Sequence, residues 1–230
     1  MVFELKKMIR TSCYVEMKKA GTIMNRSVAT IVMLFLCLNA SAYGETREIG
    51  TVTRTQSDVV GELADVRRDL QKDLSIFAEE TVRTGESARV GLLFKDGSEL
   101  IIGATAHVVL DKFVYDGNGA KGANVDGVIN LLKGAMRFTS GRLGHRSLRV
   151  VTPVATIGIR GTDFWVGQID GVYGVLLLSG AVEVSNDGGT VTLDEPLQGT
   201  TIFSQTVAPD RPGVWPGDRR ARALAGVTFN

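Results

Sequence analysis

Short stretches in which large apolar residues alternate with other residues recur along this chain of 230 residues. In Arg89–Phe94 and Glu99–Ile102 the period is two, which indicates strands with one buried face, and Lys95-Asp96-Gly97 between them indicates a hairpin. A two-residue loop would pair Phe94 with Glu99 and mix the two faces. A three-residue loop with Gly97 in the left-handed conformation keeps the apolar residues on one face. Its predicted pairs are Phe94 with Ser98, Leu92 with Leu100, and Val90 with Ile102.

Glycine is dense in most of the chain, since 26 of the 27 glycines follow residue 42. They separate short stretches rich in β-branched residues, a pattern typical of many short strands joined by tight turns. The sequence therefore predicts an all-β fold, and Arg219–Val227 either as a short helix or as a segment along the domain surface. The predicted strands are Arg89–Phe94, Glu99–Ile102, His107–Leu110, Val128–Leu132, Met136–Thr139, Leu148–Val151, Val154–Ile159, Phe164–Val166, Val172–Leu178, Ala181–Ser185 and Thr190–Leu193.

The N-terminal region contains an uncharged apolar stretch of 11 residues, Val28–Leu38, which basic residues precede and Ala40-Ser41-Ala42 follows. As a helix it would span about 16 Å, against about 30 Å of bilayer hydrocarbon. We therefore expect residues 1–42 to be a secretory signal peptide, cleaved after Ala42, with Ala40 and Ala42 as the small cleavage-site residues. A short basic segment before the apolar stretch favours a true start at Met17 or Met24. The alternative is an uncleaved single-pass anchor.

Removing residues 1–42 takes six of the 26 Lys/Arg and two of the 25 Asp/Glu, which leaves 20 basic and 23 acidic residues. This charge balance offers no general attraction to a phosphate backbone, so we expect no nucleic-acid partner. We expect contact with the membrane only through the transient signal peptide. Both cysteines, Cys13 and Cys37, would be removed, and the mature chain would have no disulfide. The C-terminal arginines are interpreted as a solvated end. They are Arg211, Arg219, Arg220 and Arg222.

Residues that could carry catalysis or bind a cofactor are sparse. His107 lies in a predicted strand and His145 in a predicted turn, and neither has the spacing of a metal site. Asp116–Asp126, rich in glycine and asparagine, is only a fragment of a calcium-binding pattern and is expected to be an exposed loop. No Gly-x-Ser-x-Gly motif marks a nucleophile. We expect no catalytic residue, no metal and no cofactor.

The stretch from Thr152 to Phe164 is β-branched and includes Gly-Ile-Arg-Gly. Arg160 could be an exposed guanidinium that recognises a ligand. Alternatively it could lie folded against backbone carbonyls and an acid such as Asp163 or Glu183, and this structural interpretation is favoured because five fixed donors suit a carbonyl-rich corner. The candidate site residues, interpreted as structural, are Thr152, Pro153, Gly158, Arg160, Gly161, Thr162 and Asp163.

Five segments in order resemble the FecR family of bacterial cell-envelope proteins, over roughly Ile49 to Gln198. The segments are Val82-Arg83-Thr84-Gly85, Leu93–Ser98, Leu132–Phe138, Thr152–Phe164 and Leu178–Val184. Asp111–Asp116 is similar to a stand-alone exported branch of the family. The resemblance implies a solenoid-like (β-helix-like) stack of short strands that binds or signals and does not catalyse.

The resemblance also bears on Asp58–Glu80. Leu63, Val66, Leu70 and Leu74 have helical spacing, which alone predicts an amphipathic helix. The family has strands and a turn in this region, and we favour strands.

The founding role in the FecR family is an inner-membrane regulator of a sigma factor, coupled to an outer-membrane iron transporter. At most 27 residues precede Val28–Leu38, so we expect only the periplasmic β-domain of such regulators, and not their cytoplasmic helical domain, to transfer to this chain. We therefore expect a FecR-like β-domain at residues 43–200, followed by a Pro- and Arg-containing tail at 201–230. The expected function is non-enzymatic binding of an unidentified envelope protein or cell-wall glycan in the periplasm or outside the cell. The alternatives are a membrane-tethered signalling regulator and an exported hydrolase.

Overall fold

A computed structural model describes residues 47–116, 124–141 and 144–229, so the predicted signal peptide, Met17, Met24, Ala40 and Ala42 lie outside it. Strands dominate the described residues and a single short helix follows them, which confirms the all-β prediction. The elements are β1 (Glu48–Gln56), β2 (Val59–Leu63), β3 (Val66–Asp69), β4 (Ser75–Phe77), β5 (Glu80–Thr84), β6 (Arg89–Phe94), β7 (Glu99–Ile102), β8 (His107–Asp116), β9 (Asn124–Lys133), β10 (Ala135–Thr139), β11 (Gly144–Val151), β12 (Thr156–Ile169), β13 (Val172–Asn186), β14 (Gly189–Leu193), β15 (Gln198–Ile202), β16 (Gly213–Val214) and the helix α1 (Gly217–Ala225).

The long strand β12 organises the sheet. Its first half pairs with β11 and its second half with β10, while β13 pairs along its whole length on the other side. Two arms of the sheet therefore leave the same edge of β12. Arm one has the order β11-β9-β8-β5-β2-β3, and arm two has the order β10-β7-β6-β1-β4.

The main hydrophobic core contains buried residues of both arms. Phe94 of arm two stacks on Phe113 of arm one, with ring centroids 4.6 Å apart. At the far ends of the arms, the Arg68 guanidinium of β3 donates a hydrogen bond to the Ser75 carbonyl of β4 over 2.6 Å. The arms thus face each other and the sheet curls into an open half-barrel.

The solenoid-like stacking implied by the family resemblance is not confirmed. Among the strand pairs of the described residues only β9 with β11 is parallel, and the other pairs are antiparallel. A β-helix repeats parallel pairs from one coil to the next, whereas this ladder pattern is that of meandering hairpins. No helix in the described residues is both long and apolar enough to cross a membrane.

The hairpin of β6 and β7 has the predicted register. Val90 lies opposite Ile102 and Leu92 opposite Leu100, and the Phe94 N–H donates to the Ser98 carbonyl over 2.9 Å. Gly97 has φ +82°, the left-handed conformation that the three-residue loop requires. The three-residue loop is confirmed.

In Asp58–Glu80 the strand interpretation is confirmed and the helix is wrong, since β2, β3 and β4 occupy this segment. Leu70 is buried, but Val66 is 66% exposed and Leu74 38% exposed, so the helical spacing does not correspond to one buried face. Ala64 and Asp65 both have positive φ and turn β2 directly into β3.

Several predicted boundaries need correction. The predicted strand 154–159, apart from its first two residues, and the predicted strand 164–166 belong to the single strand β12. The predicted strands 172–178 and 181–185 belong to β13, because bulges bend these strands without ending them. His145 lies in β11, not in a turn. The middle of the Asp116–Asp126 loop lies outside the described residues, and its ends belong to β8 and β9.

The C-terminal residues pack on the opposite face of the sheet from the main core. There Trp165 and Leu176 form a second buried cluster with Trp215 and with residues of α1. The Arg219 guanidinium lies 4.0 Å from the centre of the Trp215 ring, and Arg222 donates to both Asp170 carboxylate oxygens over 3.1 Å. The solvated-end prediction is therefore wrong for Arg219, whereas Arg222 forms its ion pair at the exposed surface. The expected domain end at residue 200 falls inside β15.

Candidate functional site: the signature corner

The stretch predicted as the site forms a corner where β12 and β13 bend together. The register of the β12–β13 ladder shifts on both sides of Asp163, and Gly161 has φ +58°. On β13, next to Gly161, Gly180 has φ +82°, and a Cβ at Gly180 would overlap the Gly161 carbonyl oxygen. Both positions therefore require glycine, one for its backbone conformation and the other also for the close approach of two chains. We call residues 160–163, with Arg137, Ser140 and Gly180, the signature corner.

Thr162 ties three chain segments together inside this corner. Its hydroxyl donates to the Ala181 carbonyl over 2.7 Å and accepts the Arg160 N–H over 3.2 Å. Its own N–H donates to the Ser140 hydroxyl over 2.9 Å, and the Ser140 N–H donates to the Thr162 carbonyl over 2.8 Å. Thr162 is only 3% exposed, so these bonds satisfy polar groups that would otherwise be buried without a partner.

Asp163 is paired with Arg137 of β10. Nε and Nη2 of Arg137 donate to the two carboxylate oxygens over 2.9 and 2.7 Å, a bidentate geometry. The hydrogen bond to Asp163 raises the pKa of Arg137 despite partial burial. The acid of the signature thus fixes the second half of β12 to β10.

Arg160 does not take the predicted structural role. Its side chain is exposed and makes no hydrogen bond or ion pair with another described residue. Asp163 bonds Arg137 instead, and Glu183 is also exposed, opposite Gly158. The physical reason is the alternation of β12: Ile157 and Ile159 face the core, so Arg160 faces out before the bulge. The prediction of a buried Arg160 is wrong.

The remaining signature residues lie before the corner. The Thr152 hydroxyl donates to the Ala155 carbonyl over 2.9 Å and accepts the Ala155 N–H over 3.0 Å, which closes the turn into β12. Pro153 is exposed at the tip of that turn. Gly158 lies on the outer face, where an added Cβ would meet Glu183 only at an ordinary 3.9 Å.

A second family segment reaches the same corner. In the β6–β7 turn Asp96 is buried and accepts the Ser98 N–H and hydroxyl over 3.0 and 2.7 Å. The Ser98 hydroxyl in turn accepts the Gly141 N–H over 2.9 Å, directly after Ser140. A chain of hydrogen bonds therefore joins the Asp-Gly-Ser turn to Thr162.

The Thr-Gly segment of the family has an equivalent structural role. Thr84, which is buried, donates through its hydroxyl to the Gly103 carbonyl over 2.6 Å and accepts the Ala106 N–H over 2.8 Å. This pair of bonds fixes the end of β5 to the turn that precedes β8.

His107 has a polar partner but no arrangement for catalysis. Arg83 can only donate, so its Nη1 donates to an unprotonated Nδ1 of His107 over 3.0 Å. Partial burial and then the Arg83 charge lower the pKa of His107. Within the described residues no group of three or more His, Cys, Asp or Glu side chains is placed to hold a metal.

Sequence reasoning missed three residues of the corner. Arg137 and Ser140 lie more than 20 positions before their partners, and no local pattern links them. The predicted strands Val172–Leu178 and Ala181–Ser185 leave a break at Ser179-Gly180, although Gly180 lies within β13 opposite the bulge. A glycine between two β-branched stretches signals either a turn or a bulge, and here it is the bulge.

Comparison with known proteins agrees with this geometry. Residues 80–183 match the family model described as FecR protein, which confirms the FecR resemblance over these residues. Two crystal structures of a candidate anti-sigma factor from Parabacteroides distasonis are similar, with TM-scores of 0.50 and 0.49 and identities of 16% and 17%. In both cases 65% of this chain and 67% of the other chain are covered. At this identity the likeness shows the fold alone. No curated protein matches the sequence.

Proposed function

We propose that this chain is a FecR-type signalling regulator of the cell envelope, which acts by binding a protein partner and not by catalysis. The FecR domain at residues 80–183 supports a regulator more than the free binding module expected from the N-terminal pattern. The solenoid-like stack of short strands that the family resemblance implies stays a prediction.

The single observation that carries the proposal is the use of the FecR segments. Their polar side chains at Thr84, Ser98, Thr162 and Asp163 are engaged with backbone groups or with one another. None of these side chains pairs as a nucleophile with a base, which acyl transfer would need. Asp163, the carboxylate among them, pairs with Arg137 and not with a second carboxylic group, which glycoside hydrolysis would need. We therefore interpret the FecR segments as the structural scaffold of the domain, and we expect the partner to bind residues on its surface.

On that surface the Arg160 side chain is exposed in the signature corner and has no polar partner among the described residues. It stands on a rigid bulge, with its backbone N–H held by Thr162 over 3.2 Å. An exposed guanidinium on a preorganised backbone loses little freedom when it binds a carboxylate or a carbonyl of a partner. We place the contact with the partner protein here, in the periplasm, with the N-terminal segment as export signal or tether.

The test is deletion of the gene from its host, followed by transcript profiling and complementation. A regulator predicts a discrete set of altered transcripts that the unchanged chain restores and Arg160→Ala does not. Arg149→Ala, an exposed arginine on the neighbouring strand β11, is the matched control and should restore them. An unaltered transcript profile in the deletion strain would overturn the regulator assignment, and full restoration by Arg160→Ala would overturn the role of Arg160.

A further inference from the structure

The edge strand β14 is the least protected edge of the sheet. Within the described residues four strands pair on one side only, namely β3, β4, β14 and β16. β3 is mostly charged, β16 has two residues, and β4 has three and is held by Arg68, which lies over Phe77. β14 has five residues, Gly-Thr-Val-Thr-Leu, with no charge and no proline. Exposed edges of this kind are templates for a further strand, because alternate N–H and C=O groups point outward.

The backbone of β14 is held rigidly enough to act as such a template. Five successive residue pairs with β13 keep it extended, from Asn186 with Gly189 to Val182 with Leu193. Leu193 is fully buried in the main core, which anchors the end of the strand. The turn before β14 is fixed by Asn186, whose side-chain amide donates to the Ser204 and Val207 carbonyls over 3.0 and 2.7 Å.

The charged residues around β14 indicate what kind of strand could pair with its free edge. Residues 161–210 contain seven acidic residues and no lysine or arginine. Asp163 is paired with Arg137, and Asp170 with Arg219 and Arg222. The other five acids form no ion pair with a described residue, and four of them flank β14 along the chain or lie on its neighbour β13. The five are Glu183, Asp187, Asp194, Glu195 and Asp210.

This charge distribution disfavours a second copy of the chain on the same edge. If two β14 strands paired antiparallel, Asp187 at the start of one would approach Asp194 and Glu195 at the end of the other. Like charges at that position cost free energy and act against self-association. A strand with lysine or arginine at its ends has the complementary charge.

We propose that β14 is a docking edge for an extended segment of a partner protein, with β-branched or apolar residues at its centre and basic residues at its ends. The segment adds to the sheet as a strand beside β14, through main-chain hydrogen bonds. Its basic ends lie near Asp187 and near Asp194 and Glu195. Val207, 51% exposed in the segment that Asn186 holds, supplies an apolar contact near the start of β14.

This proposal rests on the proposed function only in taking the partner to be a protein. The probe is a synthetic peptide with alternating threonine and valine at its centre and two lysines at each end, titrated into the purified full chain. Hydrogen–deuterium exchange read by mass spectrometry locates the bound peptide, and fluorescence anisotropy of the labelled peptide gives its affinity. We expect slower exchange confined to residues 189–193, and binding about tenfold or more weaker for a peptide with glutamates at its ends.

Charge reversal of the flanking acids, Asp187→Lys with Glu195→Lys, should weaken binding of the lysine peptide by a similar factor. Gln168→Lys, at an exposed position of the internal strand β12, is the matched control and should leave binding unchanged. Unchanged exchange in β14, equal affinity for both peptides, or a dimer in sedimentation that protects β14 without peptide would each overturn the proposal. None of these results alters the transcript test of the regulator assignment, so the two can fail separately.

Discussion

The different environments of Arg137 and Arg160 predict that two arginines of the same corner contribute very differently to stability. Arg137 makes a bidentate pair with Asp163, whereas the Arg160 side chain is exposed and forms no hydrogen bond or ion pair with another described residue. Replacing each by methionine keeps the length of the side chain and removes the guanidinium. We expect Arg137→Met to destabilise the fold and Arg160→Met to leave its free energy of unfolding within about 0.5 kcal/mol.

The magnitude follows from the burial of the Arg137–Asp163 pair. A hydrogen bond to a charged group contributes about 1.5–3 kcal/mol, but an exposed ion pair contributes only about 0–1 kcal/mol. The Asp163 side chain is 17% exposed and that of Arg137 is 37% exposed, so the pair is intermediate. We expect Arg137→Met to cost about 2 kcal/mol, chiefly because it leaves the less exposed Asp163 carboxylate without its donors.

Urea unfolding of the purified chain measures this difference. Trp165, which is 1% exposed, and Trp215, which is 5% exposed, report unfolding by fluorescence, and far-UV circular dichroism provides the second probe that a two-state analysis needs. With an m-value of about 2 kcal/mol per molar urea, Arg137→Met should lower the midpoint by about 1 M. Equal midpoints for the two variants, or a larger loss for Arg160→Met, would refute the reasoning.

Two further variants and one pH dependence test other contacts. Arg68→Ala leaves the fully buried Glu80 carboxylate without its guanidinium and should cost about 3 kcal/mol in urea unfolding. Gly199→Ala places a methyl group on the Trp215 indole and should cost about 1–3 kcal/mol and shift its fluorescence to the red. Because the pKa of His107 is lowered in the fold, the unfolded chain binds the proton first, so stability should fall as the pH falls below about 6.5.

The predictions for Gly199 and His107 have matched controls. Gly213→Ala adds a methyl group with no atom within 4 Å and should leave the fluorescence unchanged, and a normal spectrum for Gly199→Ala would contradict the packing on Trp215. His107→Gln should flatten the acid dependence, and an unaltered slope would assign it to other groups. Stability of Arg68→Ala equal to that of the unchanged chain would show that Glu80 needs no cation.

Much of the local architecture was predictable from the sequence because short-range geometry decides it. The alternation in 89–102 has one register that keeps the apolar residues together, and Gly97 supplies the only φ that the three-residue loop accepts. Glycine-separated β-branched stretches predicted the strands in the same way. Two local patterns were each compatible with two structures. The spacing in 58–80 fitted a helix as well as strands, and the glycine between the predicted strands 172–178 and 181–185 fitted a turn as well as a bulge.

The sequence by itself determined an all-β fold with FecR-like segments and the β6–β7 hairpin, since these depend on neighbours within a few residues. Only the tertiary structure decided that Asp163 pairs with Arg137 and not with Arg160, and that Arg222 pairs with Asp170. Partners of this kind lie far apart in sequence or on different strands, and which one is reached depends on how β12 bends at Gly161 and how the two arms close. A contact set by the curvature of the sheet leaves no periodic trace in the chain, because curvature is the sum of all strand pairings.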